Sequence, residues 1–258
     1  MGDTLHDFCR ALRNGTKQER DLARHMLEIN RRALAFHEAG HAVMLWRVSV
    51  EIGGGMRPPA RASILSPAAF FDWAKMPEAD PGIMQGYVLG RHAHQERRFF
   101  REPHSRSIPG FYDRAVTLDT MVCLAGPVAE DRLVVSCGRR HWSATEIIAF
   151  HQKGRDIKDA KRFLAFASEP VPLEILVCNT YDFIEREDVW RTVTAVADAL
   201  IKYNTLSGDK LLRIMRETWM VPRWRSIYHF AKKLAEDGPL MPQWRMIYRF
   251  AKGLYRDS

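Results

Sequence analysis

Residues 31–44 read RRALAFHEAGHAVM, and this stretch decides the fold. Its Ala, Leu, Arg, Glu and Met favour helix, and no proline interrupts it. Positions four apart share one face of a helix, so His37 and His41 can aim imidazole nitrogens at a single point, with Glu38 beside it. Two neutral imidazoles about 2.0–2.1 Å from a shared ion make up half of an ordinary zinc site. Gly40 lies inside the same helix, where it costs about 1 kcal/mol relative to Ala. A glycine there is tolerated when another element or a substrate must come close.

Working outward, Thr16-Lys17-Gln18-Glu19 fits a capping box, so a helix, whole or broken once, is expected to start there and run into the motif. Downstream, Gly53-Gly54-Gly55 and Pro58-Pro59 end helical order. Ala62 to Leu65 is short and β-prone, and Gly86 to Leu89 is a second strand candidate. Residues 68–110 are rich in Pro, His, Arg and aromatics without a period, as expected of a loop-rich insertion. From Tyr112 to about Leu133 the apolar positions Ala115, Leu118, Val122, Ala125 and Ala129 recur at helical spacing. Ile147, Ile148, Ile157, Ala160, Phe163 and Leu164 do the same further on. Val189 to Ile201 and Gly208 to Arg216 predict two more helices with a turn around Asn204 to Gly208.

The end of the chain carries a duplication. VPRWRSIYHFAKKL from Val221 and MPQWRMIYRFAKGL from Met241 are offset by 20 residues and agree at nine of 14 positions. In each copy an apolar stripe runs at i, i+3, i+4, i+7 and i+10, through Trp224, Ile227, Tyr228, Ala231 and Leu234 and through Trp244, Ile247, Tyr248, Ala251 and Leu254. Each copy is expected to be one amphipathic helix started by its proline. Residues 221–258 hold eight Arg and Lys against three acidic residues, so five of the chain's eight net positive charges sit there. Aromatics mixed with cations also suit a nucleic-acid or membrane surface. Packing of the stripes on each other or on the body is the preferred reading.

The 258 residues, 46% hydrophobic and 27% charged, suit a folded protein with one good core. No apolar run approaches the roughly 20 residues that span a bilayer, and the start of the chain lacks an apolar signal core, so a cytoplasmic location is expected. Cys9, Cys123, Cys137 and Cys178 form no CxxC pair and read as reduced thiols, two or three of them buried, with Cys123 in the core. His92, His94, Glu96 and His104 could suggest a second metal site, but Arg91, Arg97, Arg98 and Arg101 around them would repel a cation. A basic loop is the better reading.

A catalytic zinc takes three protein ligands and leaves one position open. Arg47 stands six residues after His41, so no third histidine follows at HExxHxxGxxH spacing. The remaining ligand must come from an Asp or Glu on another helix, or from His92, His94, His104, His141 or His151.

HExxH is the pattern of zinc peptidases, in which the glutamate takes a proton from the attacking water. Here RRALAFHEAGHAVM resembles the motif helix of the peptidase domain of FtsH-type AAA proteases, which reads much like AYHEAGHA. Three further segments follow in that family's order. LAGPVAEDRL (124–133) resembles its LAGRAAEE helix, GRDIKDAKRF (154–163) its SNDIKxAT segment, and ADALIKYNTLSGDKLLRIM (197–215) its last helices. Pro127 and Arg155 stand where the family has Arg and Asn.

The resemblance spans about residues 31–217 and implies a mainly α, zincin-like metallopeptidase domain with a small β element. It implies His37, His41 and Asp156 as ligands of Zn2+ and Glu38 as general base. On its own residues Asp156 would read as a solvated aspartate at a helix start.

No GxxxxGK[ST] loop and no transmembrane segment occur, so the resemblance implies a stand-alone peptidase domain, ATP-independent, acting on unfolded or flexible polypeptide or alongside an unfolding partner. An extended substrate is expected to pair with an edge strand at Ala62 to Leu65. The organisation expected is a helical lead-in over 1–30, the peptidase-like domain over 31–217 and a basic tail over 218–258. The alternative function is a zinc-binding regulator or scaffold that acts through the tail without cutting.

Overall fold

The computed structural model describes residues 14–52, 59–64, 87–89, 111–169 and 171–218. The twin repeat of the tail, the expected insertion over 68–110 apart from residues 87–89, with His92, His94 and His104, and Cys9 lie outside the described residues.

Helix α1 (Lys17–Ile52) runs 36 residues without a break, so the expected boundary at residue 31 falls inside one helix. It starts where the capping box predicts. The Thr16 amide donates to Glu19 Oε2 at 2.6 Å and the Glu19 amide to Thr16 Oγ1 at 3.3 Å, satisfying donors that the first turn leaves open. Helix α2 (Phe111–Ser136) contains Pro127, which has no N–H to give to the helix. Helix α3 (Ala144–His151) opens on a second capping box, Ser143 with Glu146, that the sequence reading passed over. Helix α4 (Arg155–Leu164) follows from Gly154, and Ile157, Ala160 and Phe163 are its buried face.

Helix α5 (Leu173–Glu185), which the sequence reading left unassigned, turns into α6 (Glu187–Tyr203) at one residue, Arg186, with extended backbone. A final helix, α7, covers residues 208–218. The chain is mainly helical, and no helix among the described residues is long and apolar enough to cross a membrane.

Three short strands complete the architecture: β1 (Arg61–Ser63), β2 (Tyr87–Leu89) and β3 (Thr205–Ser207) form an antiparallel sheet in the order β2-β1-β3. Ala62 faces Val88 on one side and Leu206 on the other. This corrects the expectation that Ala62 to Leu65 is an edge: both sides of β1 are already paired, so its backbone groups have no ladder left to offer a peptide. It also replaces the expected turn at 204–208 with a strand. Asn204 reverses the chain there with φ 59°, and its carbonyl accepts the Ile64 amide at 2.8 Å. Arg31 reaches across from α1 to the Ile201 carbonyl and the Asn204 side chain, at 2.5 and 2.6 Å.

The core forms where α1 packs against α2 and α6, and α2 in turn packs against α4 and α5. Phe36, Val43, Leu124, Leu176, Val193 and Leu200 are among the side chains sealed in it, each removal from water contributing about 1.5–3 kcal/mol. Cys123 belongs to this core as expected. Cys137 and Cys178 are exposed free thiols, so one of the three described cysteines is buried.

Candidate metal centre

Two helices meet at the motif because two glycines allow it. A Cβ on Gly40 would lie 2.4 Å from the Ala125 carbonyl oxygen and 2.8 Å from Ala129 Cβ. With hydrogen there instead, the backbones of α1 and α2 come into contact. On α2, Val122, Gly126 and Glu130 are spaced by four and so share one face. Val122 meets His41 and Glu130 meets His37, so the helices cross antiparallel and Gly126 sits opposite both imidazoles.

Asp156 arrives from the first turn of α4, 119 residues along the chain from His37. Its Oδ2 is 2.9 Å from His37 Nε2 and its Oδ1 is 3.5 Å from His41 Nε2. The two Nε2 atoms are 3.1 Å apart. Ligands about 2.0–2.1 Å from a tetrahedral ion lie about 3.3 Å from one another, close to the 3.1 Å between the two Nε2 atoms, and one ligand atom from each residue falls in a group within 4.8 Å. His37, His41 and Asp156 could therefore hold a metal ion.

The outer nitrogens decide the protonation pattern. His41 Nδ1 is 2.7 Å from the Val122 carbonyl oxygen, which can only accept, so that nitrogen carries the proton. His37 Nδ1 lies 3.2 Å from Glu130 Oε2. With both Nδ1 atoms donating, neutral rings turn two lone pairs toward each other at Nε2. That arrangement repels unless a cation lies between them. A Cβ on Gly126 would fall 2.4 Å from His41 Nε2 and 2.6 Å from His37 Nε2, so glycine is what lets both rings lie this close to α2.

The electrostatics agree. Burial would push His37 down, but hydrogen bonds and charge from Asp156 and Glu130 reverse this and raise it to about 10. Burial also disfavours charge on His41, and Asp156 again wins, so its pKa rises. Asp156 is held far below the usual carboxylate range, because the charge of His41 and hydrogen bonds from both rings outweigh its burial. Glu130 is lowered in spite of burial by its hydrogen bond with His37. The site demands positive charge.

Glu38 is buried beside His37, and burial raises its pKa against the opposing pull of His41 and His37. A carboxylate raised in this way is a better proton acceptor. Asp131, next to Glu130 but turned to another side of α2, pairs with His141 at 3.4 Å, and His141 stacks on Tyr181. His141 is thus occupied away from the centre, and it does not supply a ligand. Arg155 points outward to Asp159 at 3.2 Å, so the departure from Asn at this position does not touch the ligands. Among the expected ligands, the structure brings together His37, His41 and Asp156.

The sequence reading gave no role to Glu130, Val122 or Gly126. Their spacing of four was the available signal, but it matters only once α2 is known to lie across the histidines. Compared with known proteins, the chain matches no family model and no curated protein.

Proposed function

We propose that this chain is a zinc-dependent metalloendopeptidase of zincin-like build that hydrolyses peptide bonds in unfolded or flexible polypeptide. The observation that carries the reading is the convergence of Asp156 on the two motif histidines across 119 residues of sequence, at 2.9 Å from the nearer ring. Two imidazoles and one carboxylate are a set that zinc takes, and three protein ligands leave it an open position. Bound there, zinc would supply Lewis acidity that eases the deprotonation of water.

The chain's own residues supply the rest. Glu130 and the Val122 carbonyl keep both Nδ1 atoms as donors, which leaves both Nε2 atoms free to hold a metal. Glu38 takes a proton from the attacking water and passes it to the leaving amine. Asp156, in the first turn of α4, gains from the amide dipoles of that turn while its charge faces the site.

The test is metal analysis of the purified chain together with cleavage of an unfolded protein such as casein, for wild type and Glu38→Gln. Both proteins are expected to carry one zinc, with cleavage by the variant reduced at least about 100-fold. Equal cleavage by the two proteins rejects the assignment of Glu38. A zinc-loaded wild type that cuts nothing rejects the peptidase reading in favour of a zinc-binding regulator. Stoichiometric iron in place of zinc moves the site to a different chemistry.

A further inference from the structure

His151 is the last residue of α3, and its ring centroid is 6.2 Å from that of His37. The three ligand atoms of the centre lie within 4.8 Å of one another, and His151 is not part of that group. It therefore stands beside the ligand set without belonging to it. Its position is built rather than incidental. Phe150 meets its ring edge-on at 5.0 Å, and Trp142 lies against Phe150 at 4.7 Å. The His151 carbonyl accepts the Gly154 amide at 2.8 Å, which ties it to the N-cap of the helix that carries Asp156.

The rings of His37 and His41 are each committed at Nδ1 to a group on α2. By contrast, no hydrogen bond joins the imidazole of His151 to another of the described residues, and the residue is half-buried. It is an imidazole beside the candidate centre, within the electrostatic reach of Glu130 and with no hydrogen-bond partner among the described residues. Peptide hydrolysis moves negative charge onto the carbonyl oxygen of the bond being cut. A fixed N–H aimed at that oxygen in a water-poor site is worth about 100- to 1,000-fold in rate.

We infer that His151 donates this hydrogen bond to the scissile carbonyl oxygen of a peptide substrate, as a catalytic residue that binds no metal. The inference rests on the peptidase reading above. It is tested with the zinc-loaded full chain as wild type, His151→Ala and His151→Gln, using zinc affinity by chelator competition, cleavage of a fluorogenic peptide, and calorimetric binding of a phosphinic peptide whose tetrahedral phosphorus mimics the charged carbon centre.

His151→Ala is expected to leave zinc affinity and KM within about twofold, and to lose about 100-fold in both kcat and phosphinate affinity. His151→Gln, which keeps an N–H donor, should recover part of both losses. A tenfold or greater drop in zinc affinity for His151→Ala overturns the inference, because the residue is then a ligand. Unchanged kcat and phosphinate affinity in both variants also overturn it while leaving the peptidase reading standing. A wild type that neither cuts peptide nor binds the phosphinate takes down both.

Discussion

Leu22 and Ile29 on the first half of α1 are 62% and 49% exposed, whereas Phe36 and Val43 on its second half are 2% and 1% exposed. One unbroken helix thus has an outer half held by local forces and an inner half held by neighbours. The outer half depends on the Thr16 and Glu19 cap, on residues that favour helix and on a few anchors such as Ala23, Leu27 and Arg31. The inner half packs in the core against α2 and α6, and there even a glycine in mid-helix is an asset. The candidate ligands His37 and His41 sit in the inner half, where packing can fix side chains to a fraction of an ångström.

The contrast should break most clearly at Gly126→Ala. The added methyl would collide with both imidazoles at Nε2 and push them apart, so metal affinity should fall about 100-fold or more while the helices of the outer half survive. Chelator competition together with circular dichroism checks both parts. Retained affinity would mean that α2 can move aside, and that the inner half is less rigid than its packing suggests.

Phe36→Ala should come next, at about 3–5 kcal/mol of stability in urea denaturation, since it empties a site packed against Trp190 at 5.4 Å. A loss below about 1 kcal/mol would erase the distinction between the halves.

Acid should weaken metal binding at the inner half. Without a metal, His37 holds its extra proton until about pH 10, so binding at pH 7 must release it. The sign follows from the raised pKa: protonated His37 stabilises the bare fold at low pH, that contribution fades as pH rises through about 10, and metal competes better as it fades. Affinity should therefore rise up to about tenfold per pH unit for each proton released, and calorimetry in two buffers of different ionisation heat counts those protons.

Thr16→Ala should cost about 1 kcal/mol of local helix stability and leave metal affinity unchanged, as seen by hydrogen exchange of the first turn. Glu19, whose pKa is lowered chiefly by the Thr16 amide, supports the same turn above its ordinary value of 4.5, and that support is lost as pH falls through its lower folded value. Leu22→Ser should be the mildest change, within about 0.5 kcal/mol, because the side chain has little packing to lose. A larger cost would show that something covers this face.

Local chemistry, readable by rule, settled a good deal. The start of α1, the helical character of α2 and α4, and the pairing of His37 with His41 all follow from caps and spacing of three and four. Asp156 came into view through the likeness of its segment to a family, since by itself it looks like any acid in a first turn. β3 was hidden because Thr205 to Ser207 is three residues long and pairs with a strand more than 140 residues away in sequence. The centre of the sheet was likewise misplaced, since the second partner of β1 could not be seen. The corner at Arg186 carries no glycine or proline to mark it.

What the sequence determined by itself is what neighbouring helical turns can encode: a cap, a face, two imidazoles four residues apart and a glutamate beside the first. What only the tertiary structure decided is which groups from other helices meet that face: Asp156 at the open side, Glu130 and the Val122 carbonyl behind the rings, Gly126 leaving room for both rings and His151 beside the ligand set. The reason is physical. A turn is stabilised by neighbours three and four residues away, whereas a metal centre depends on distances between helices, which are set by how closely their backbones can approach.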